Sequence, residues 1–303
     1  MRTSCIIINY NYGHYVLDAV NSVLSQSHPF DEIIIVDDGS TDDSLKKLHE
    51  AFSQRENIRI LKKKNEGQLS SINYGFLNSS GDIVYFLDAD DMYKESYLEE
   101  TLNIYKNSDY DFIFCGYEKF GKGNEKVLNY NYDKDFGISL LSTLYLKIWV
   151  GGITSTISVK RSILKKILPI PYIDDWKTRA DDCLVWGTSL AGARKLYLNK
   201  DLVLYRIHGD NQYYGRTFSE IYNYRRELYV NRLFSFFLSV LNYDVDRLPS
   251  ALDEFKLLPA PSYEDLLIYL KVVNKKEKKF GKRLDYRIRM IRHYAKVSLK
   301  NRL

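Results

Sequence analysis

Cysteine is scarce in this chain. Only Cys5, Cys115 and Cys183 occur in 303 residues, far apart, in or beside apolar runs and without Cys-x-x-Cys spacing, the usage of a reducing compartment. Long hydrophobic runs are also missing: Leu233 to Leu241 is the longest candidate, about half of the roughly 20 apolar residues a bilayer crossing needs. Met1-Arg2-Thr3-Ser4 leads straight into Cys5-Ile6-Ile7-Ile8, too short an apolar run for the core of a secretion signal. A cytoplasmic protein is the expectation. No Gly-x-Gly-x-x-Gly follows any expected strand, and the Gly-x-x-x-x-Gly-Lys at Gly116 to Lys122, after Phe112 to Cys115, continues with Gly123 where a P-loop has Ser or Thr, which disfavours a Rossmann dinucleotide fold and a P-loop. Neither a recognised nucleic-acid module nor interleaved Arg and aromatic residues is present, so no nucleic-acid partner is expected.

What is present is ordinary in amount and uneven in placement. Hydrophobic residues make up 45% and charged residues 27%, a soluble globular composition with length for one large domain or two small ones. From Lys271 to Leu303, thirteen Lys and Arg face only Glu277 and Asp285; of the net +5, this tail carries +11, and residues 1–270 carry −6.

The organising stretch is Asp82-Ile83-Val84-Tyr85-Phe86-Leu87-Asp88-Ala89-Asp90-Asp91. Its β-branched and aromatic run after Gly81 predicts a strand buried on both faces, as in a parallel sheet. Charge cannot sit inside such a strand, so the acids belong at its C-terminal end, where open α/β sheets bind ligands. If the segment stays extended, Asp88 and Asp90 project to one side and Ala89 to the other. Two carboxylates so placed suit a hard divalent cation bridging to phosphate oxygens. An isolated Asp-x-Asp equally suits a turn or a helix cap, so the rest of the chain has to decide.

Upstream, Ser4 to Ile8, Glu32 to Val36 and Ile58 to Leu61 read as strands. Between them lie helical patterns with Val16, Val20, Val23 and Leu24, then Leu45, Leu48 and Phe52, then Leu69, Ile72, Phe76 and Leu77 turned inward. A strand about every 25 residues with a helix between is the βαβ rhythm of a parallel sheet. The ends of strands one, two and four then open at one edge, bringing Tyr10, Asp38, Asp88 and Asp90 together. Asp37 is open between core hydrogen bonding and ligand contact, and Gly39 to Asp42 also reads as a turn with a helix cap.

Ile6-Ile7-Ile8-Asn9-Tyr10-Asn11, Val36-Asp37-Asp38-Gly39-Ser40-Thr41-Asp42, Asn65-Glu66-Gly67, Asn73-Tyr74-Gly75 and the Gly81 to Asp91 stretch occur in an order and spacing that resembles family-2 glycosyltransferases of the GT-A fold. The resemblance covers residues 3–92 strongly and 150–211 moderately. It implies an α/β fold, a mostly parallel sheet flanked by helices, with a catalytic domain over 1–212 and a basic helical region over 213–303. It further implies that the backbone of Ile8, the ring of Tyr10 and the carboxylate of Asp38 hold the base of a nucleotide-sugar, with Gly67 and Ala89 in the same site. Asp88 would face ribose and metal, and Asp90 would ligate Mn²⁺ or Mg²⁺. Two positions depart from the family: Ile8 stands where Pro is usual, and Ile72 where Arg often precedes Asn, which puts a phosphate contact there in doubt.

Farther on, Leu98, Leu102 and Tyr105 mark a helix, Phe112 to Cys115 a strand, and residues 116–135 a hairpin or loop. Trp149-Val150-Gly151-Gly152 reads as a plain turn or as backbone kept bare for a ligand. Arg179-Ala180-Asp181-Asp182-Cys183-Leu184-Val185-Trp186 puts two acids ahead of an apolar helical run, a placement the helix dipole alone favours. Its likeness to the family's acidic pair, with Asp181 where Glu is commoner, assigns Asp182 as catalytic base. Tyr205-Arg206-Ile207-His208-Gly209-Asp210-Asn211 follows a strand-like Lys200 to Leu204, and its likeness makes His208 a metal ligand. With one base and no second nucleophilic carboxylate in view, the implied reaction is single-displacement, inverting transfer of a hexosyl or N-acetylhexosaminyl group. The donor would be a UDP-linked sugar and the acceptor a hydroxyl of a glycan or polyprenyl-linked acceptor in surface polysaccharide synthesis. A non-catalytic nucleotide-sugar-binding or scaffold protein of a glycan assembly complex is the alternative. A sugar nucleotidyltransferase would need a Gly-rich loop after strand one, where Asn9 to Gly13 holds one glycine.

From Arg216 the pattern is helical, with Tyr222, Leu228, Leu233, Phe236, Phe237 and Leu241 as expected buried positions. Leu284, Ile288, Ile291, Ala295 and Leu299 then recur at helical spacing among Arg283, Arg287, Arg289, Arg292 and Lys296. Two readings stay open: a peripheral helix on the anionic inner face of the cell membrane, or a solvated helix packed on the domain by that stripe. A homodimer is compatible with either.

Overall fold

The computed structural model describes residues 1–209 and 217–300. The first four strands are β1 (Thr3–Asn9), β2 (Glu32–Asp37), β3 (Ile58–Lys62) and β4 (Ile83–Asp88), joined by helices α1 (Val16–Leu24), α2 (Ser44–Phe52) and α3 (Gln68–Leu77). They lie parallel in the order β3-β2-β1-β4, with Ile8 level with both Val36 and Asp88. Ile83 to Leu87 are fully buried, because helices cover both faces of the sheet and the backbone pairs within it. Close approach to the central strand β1 is made by glycine. A Cβ on Gly81 would lie 2.6 Å from the Ser4 backbone N, and one on Gly75 of α3 would lie 2.5 Å from Ile6 Cγ2.

Beyond β4 the sheet becomes mixed. It continues through β5 (Met92–Tyr93), helix α4 (Tyr97–Asn107), β6 (Phe112–Gly121), β7 (Glu125–Val127), β8 (Lys134–Ile138), helix α5 (Leu140–Leu146), β9 (Ile157–Lys160), helix α6 (Arg161–Ile167), helix α7 (Asp181–Leu190) and β10 (Arg194–Ile207). Among the described residues the strand order runs β3-β2-β1-β4-β9-β6-β10-β5, with β7 on β6 and β8 on β10. β6 and β10 are parallel, whereas β9 runs antiparallel to β4 and β6. Residues 116–127 form the expected hairpin, by β7 folding back on β6.

Three apolar cores result among the described residues. One face of the sheet packs under α1, α2 and α4, with Val16, Val20, Leu48, Leu98 and Tyr105. The other packs under α3, α6, α7 and α8 (Glu220–Val240), whose Leu233, Phe234 and Phe237 join Leu184 and Trp186. The third unites α5 with α9 (Ala251–Lys256), α10 (Tyr263–Lys276) and α11 (Phe280–Lys300) around Leu141, Phe255, Val272 and Met290. The domain division expected at 212/213 falls outside the described residues. No helix among the described residues is long and apolar enough to cross a membrane.

Several expected burials are corrected. Leu77, at the last turn of α3, is exposed, and Leu45 is only half-buried. In α8, Leu228 is exposed and Tyr222, Phe236 and Leu241 are half-buried, while Val230 and Phe234 are buried. The stripe Leu284, Ile288, Ile291, Ala295 and Leu299 lies on the exposed side of α11. The helix packs instead through Met290 and His293, whose ring meets Phe255 edge-on at 5.9 Å.

Candidate active site

The parallel strands β1, β2 and β4 end side by side, and their loops are knit together before any ligand is considered. Asn9 donates to Asp37 at 2.8 Å, and Asp37 accepts the Ser40 N–H at 2.9 Å. Asp37 is fully buried and serves the turn. Gly39 takes φ +74°, the left-handed region that favours glycine, and Asp42 accepts the N–H of Ser44 at the start of α2 and of Gly13. The turn is present, while the N-cap of α2 is Asp43, whose side chain makes no cap hydrogen bond.

The nucleotide-site candidates line this edge with different degrees of freedom. Tyr10 follows β1 and is 41% exposed. The Ile8 carbonyl accepts the Ala89 N–H at 3.0 Å and Ala89 is fully buried, so both are held in the backbone framework. Asp38 is buried; its oxygens accept Lys63 Nζ at 2.5 Å, the Glu66 N–H at 3.1 Å and the Gly67 N–H at 2.7 Å. Gly67, at φ +93°, abuts Lys177, where a Cβ would come within 2.4 Å of backbone. Asn73 exchanges two hydrogen bonds with the Ile170 backbone, which accounts for that motif structurally.

At the end of β4 the chain does not stay extended. Asp88 closes the strand, and the Asp91 N–H returns to the Asp88 carbonyl at 3.0 Å, so Asp88 and Asp90 meet through a turn and not through strand alternation. Asp90 Oδ2 and His208 Nε2, the latter just past β10, stand 2.9 Å apart. Asp91 faces inward, accepting Ser155 Oγ at 2.6 Å and the Arg206 N–H at 3.0 Å. The Arg206 guanidinium donates to the Asp90 carbonyl and to Asp18. Burial first, and then the charge of Asp90, push the Asp88 carboxyl up to about 7, against a 3.0 Å hydrogen bond from Gln68. The same acids and burial push the Tyr12 and Tyr205 hydroxyls upward; the Tyr12 ring meets His208 edge-on at 5.6 Å.

The second acidic pair opens α7. Asp182 is buried, 3.2 Å from Arg179 Nε and bonded to Arg226 of α8; Arg226 also lies over the Trp176 ring at 5.2 Å. Asp181 is pushed up to about 6 by burial, opposed by the charges of Arg179 and Arg226, and its charge in turn disfavours ionisation of Asp88. Gln68 joins the two clusters: its amide nitrogen donates to Asp88 Oδ1 and to Thr154 Oγ1, and its carbonyl accepts the Ala180 N–H at 2.9 Å, one residue before α7. Gln68, Ser155 and Arg226 escaped the sequence reading, and Arg206 entered it only as a member of the His208 motif. Gln68 directly follows the recognised Asn-x-Gly element; Arg226 carries no local signal, since only the packing of α8 on α7 brings it here. The loop at Gly151 and Gly152 is shaped by packing, for Cβ atoms there would lie 2.3 Å from Val185 Cγ2 and 2.2 Å from Thr156 Oγ1.

The donors present are compatible with a divalent ion. Two ligands bound cis to an octahedral ion at about 2.1 Å each are about 3 Å apart, close to the 2.9 Å between Asp90 and His208. No group of three or more His, Cys, Asp and Glu converges among the described residues, so phosphate oxygens and water would complete such a shell. Asp210 and Asn211 of the His208 motif lie outside the described residues.

Comparison with known proteins points the same way as the strand-end acids. Residues 4–168 match the model of glycosyl transferase family 2. An uncharacterized glycosyltransferase of Nostoc sp. is 34% identical over 220 residues, 70% of this chain and 67% of its own length. The Bacillus subtilis glycosyltransferase TuaG, named for teichuronic acid biosynthesis, is 38% identical over 116 residues, which is 38% of this chain and 46% of TuaG. Among solved structures, S. aureus TarS 1–349 in complex with UDP-GlcNAc aligns over 100% of this chain and 92% of its own, with TM-score 0.63 and 18% identity, a likeness of fold. The chain belongs to the family-2 glycosyltransferases.

Proposed function

We propose that the enzyme transfers a hexosyl or N-acetylhexosaminyl group from a UDP-sugar, with inversion, to a hydroxyl of a glycan or lipid-linked acceptor in surface polysaccharide synthesis. The observation that carries this reading is Gln68, one side chain bonded both to Asp88 at the end of β4 and to the backbone of Ala180, the residue just before α7. An acid set suited to a diphosphate and an acid suited to an acceptor hydroxyl are thereby held in fixed relation, as in-line attack requires. The UDP-GlcNAc of TarS and the teichuronic acid role in the name of TuaG support the donor and acceptor classes.

In this reading the backbone of Ile8, the ring of Tyr10 and the carboxylate of Asp38 hold the base, Gly67 and Ala89 lie in the same site, and Asp88 faces the ribose and the metal. A divalent cation held by Asp90 and His208 would supply Lewis-acid neutralisation of the departing diphosphate. Asp182 takes the proton of the acceptor hydroxyl as that oxygen attacks the anomeric carbon from the face opposite the diphosphate. A carboxylate clamped by two guanidinium groups is a weak base, so the acceptor hydroxyl has to displace Arg179 or Arg226 from Asp182. That same clamp favours a second reading, a nucleotide-sugar binder without turnover.

The discriminating experiment measures donor binding and transfer together. Wild-type protein with UDP-GlcNAc and other UDP-sugars is expected to bind donor in a Mn²⁺- or Mg²⁺-dependent manner by calorimetry and to release UDP. Binding without any UDP release, with or without candidate acceptors, would favour the binder.

A further inference from the structure

The terminal helix is amphipathic twice over. Its inner arc, with Tyr286, Met290, His293, Tyr294 and Val297, is buried or half-buried against α9 and α10. Its outer arc holds Leu284, Ile288, Ile291 and Leu299, between 41% and 65% exposed, with Ala295 and Phe280 in line. At 3.6 residues per turn these six span an arc of about 100°. A helix that already has its packing face has no structural need of a second apolar one.

Charge identifies what suits that face. On the helical circle Arg287 borders the arc on one side, Arg292 and Lys296 on the other, and all three are exposed. The segment from Lys271 onward carries +11 on a protein otherwise net negative. A second copy docking by this stripe would set two such rows of cations against each other, whereas anionic headgroups complement them while the aliphatic side chains enter the acyl boundary. Tyr263, largely exposed and 6.3 Å from the Tyr294 ring, adds an aromatic of the kind that favours the interface.

We infer that the outer face of α11 is a membrane-binding surface, on which the protein lies against an anionic lipid bilayer with the helix in the plane of the headgroups. The inference is independent of the transfer reaction, because none of these residues belongs to the site at the strand ends.

The test is flotation of the full-length protein with vesicles of phosphatidylcholine alone and of phosphatidylcholine mixed with phosphatidylglycerol. Binding is expected on the anionic vesicles only, weakened by salt. It should fall by about tenfold or more in an Ile288→Glu, Ile291→Glu double variant and in an Arg287→Glu, Arg292→Glu double variant. Since all four side chains are exposed, both variants should keep the wild-type melting temperature and donor affinity. Equal flotation of wild type and both variants, or no flotation on anionic lipid, overturns the inference. So does a wild-type dimer in light scattering that the isoleucine variant dissolves, which would assign the face to a second copy.

Discussion

The two acidic clusters of the site differ in how their charge is balanced. At the end of β4, Asp88 and Asp90 come from one turn and meet an imidazole and a glutamine amide, and the Asp88 carboxyl rises to about 7 under burial and its neighbour's charge. At the start of α7, Asp182 is buried against two guanidinium groups. Among the described residues the first cluster sets its acids beside an imidazole and an amide, and the second holds its acid between two cations. The difference teaches that charge of one sign gathers at the strand end and is balanced by opposite charge at the start of α7, so the proposed cation belongs with the first and the proposed proton transfer with the second.

The largest expected effect tests the second cluster. Asp182→Asn should lower transfer by about 10³-fold while donor affinity stays within about twofold, measured as UDP release alongside donor calorimetry; wild-type turnover would break the assignment. Removing one arginine comes next. Arg226→Gln should cost about 2–3 kcal/mol in urea unfolding, because a buried carboxylate loses one of its two partners, and His208→Gln should cost under about 1 kcal/mol, as exchanging one hydrogen-bonding side chain for another does. Equal losses would erase the contrast between the clusters. Asp90→Ala should weaken metal-dependent donor binding by about 10- to 100-fold, read by titrating Mn²⁺ against protein and UDP-sugar, and unchanged metal dependence would remove the first cluster from that role.

The smallest effect sharpens the comparison from outside the site. Glu254 of α9, buried, accepts the N–H groups of Leu141 and Ser142 and the Tyr269 hydroxyl, yet burial pushes it up to about 7. Its folded-state proton affinity exceeds the unfolded one, so its contribution to stability is present at acidic pH and is lost as pH rises from the ordinary carboxyl range through about 7. Glu254→Gln should remove that decline between about pH 5 and about pH 8, while the lost hydrogen bonds lower stability by an amount that does not change with pH. An unaltered pH profile would show that burial alone does not set such a group.

Much of the first half was legible because local rules and tertiary structure agree there. Ile83 to Leu87, apolar on both sides, can only be an interior strand, and the acids after it can only be at its end. Reading failed where the argument assumed continuity: Asp88 to Asp90 turns at once, and the meeting of the two acids depends on that turn. At Gly151 and Gly152, which read as a plain turn or as backbone kept bare for a ligand, close packing against Val185 and Thr156 accounts for the glycines. Arg226 could not be read at all, since an arginine in a mixed polar and aromatic helix has no pattern that names Asp182, 44 residues earlier, as its partner.

By itself the sequence determined the βαβ order of the first four strands, the presence of acids at their carboxyl ends and the existence of a basic amphipathic helix at the chain's end, all properties of spacing along one segment. Tertiary structure alone decided which carboxylate each cation meets, that Gln68 ties the two acid clusters together, and which of α11's two apolar arcs is covered. Those outcomes depend on side chains far apart in the chain coming to rest beside each other, and periodicity along a segment carries no information about its neighbours in space.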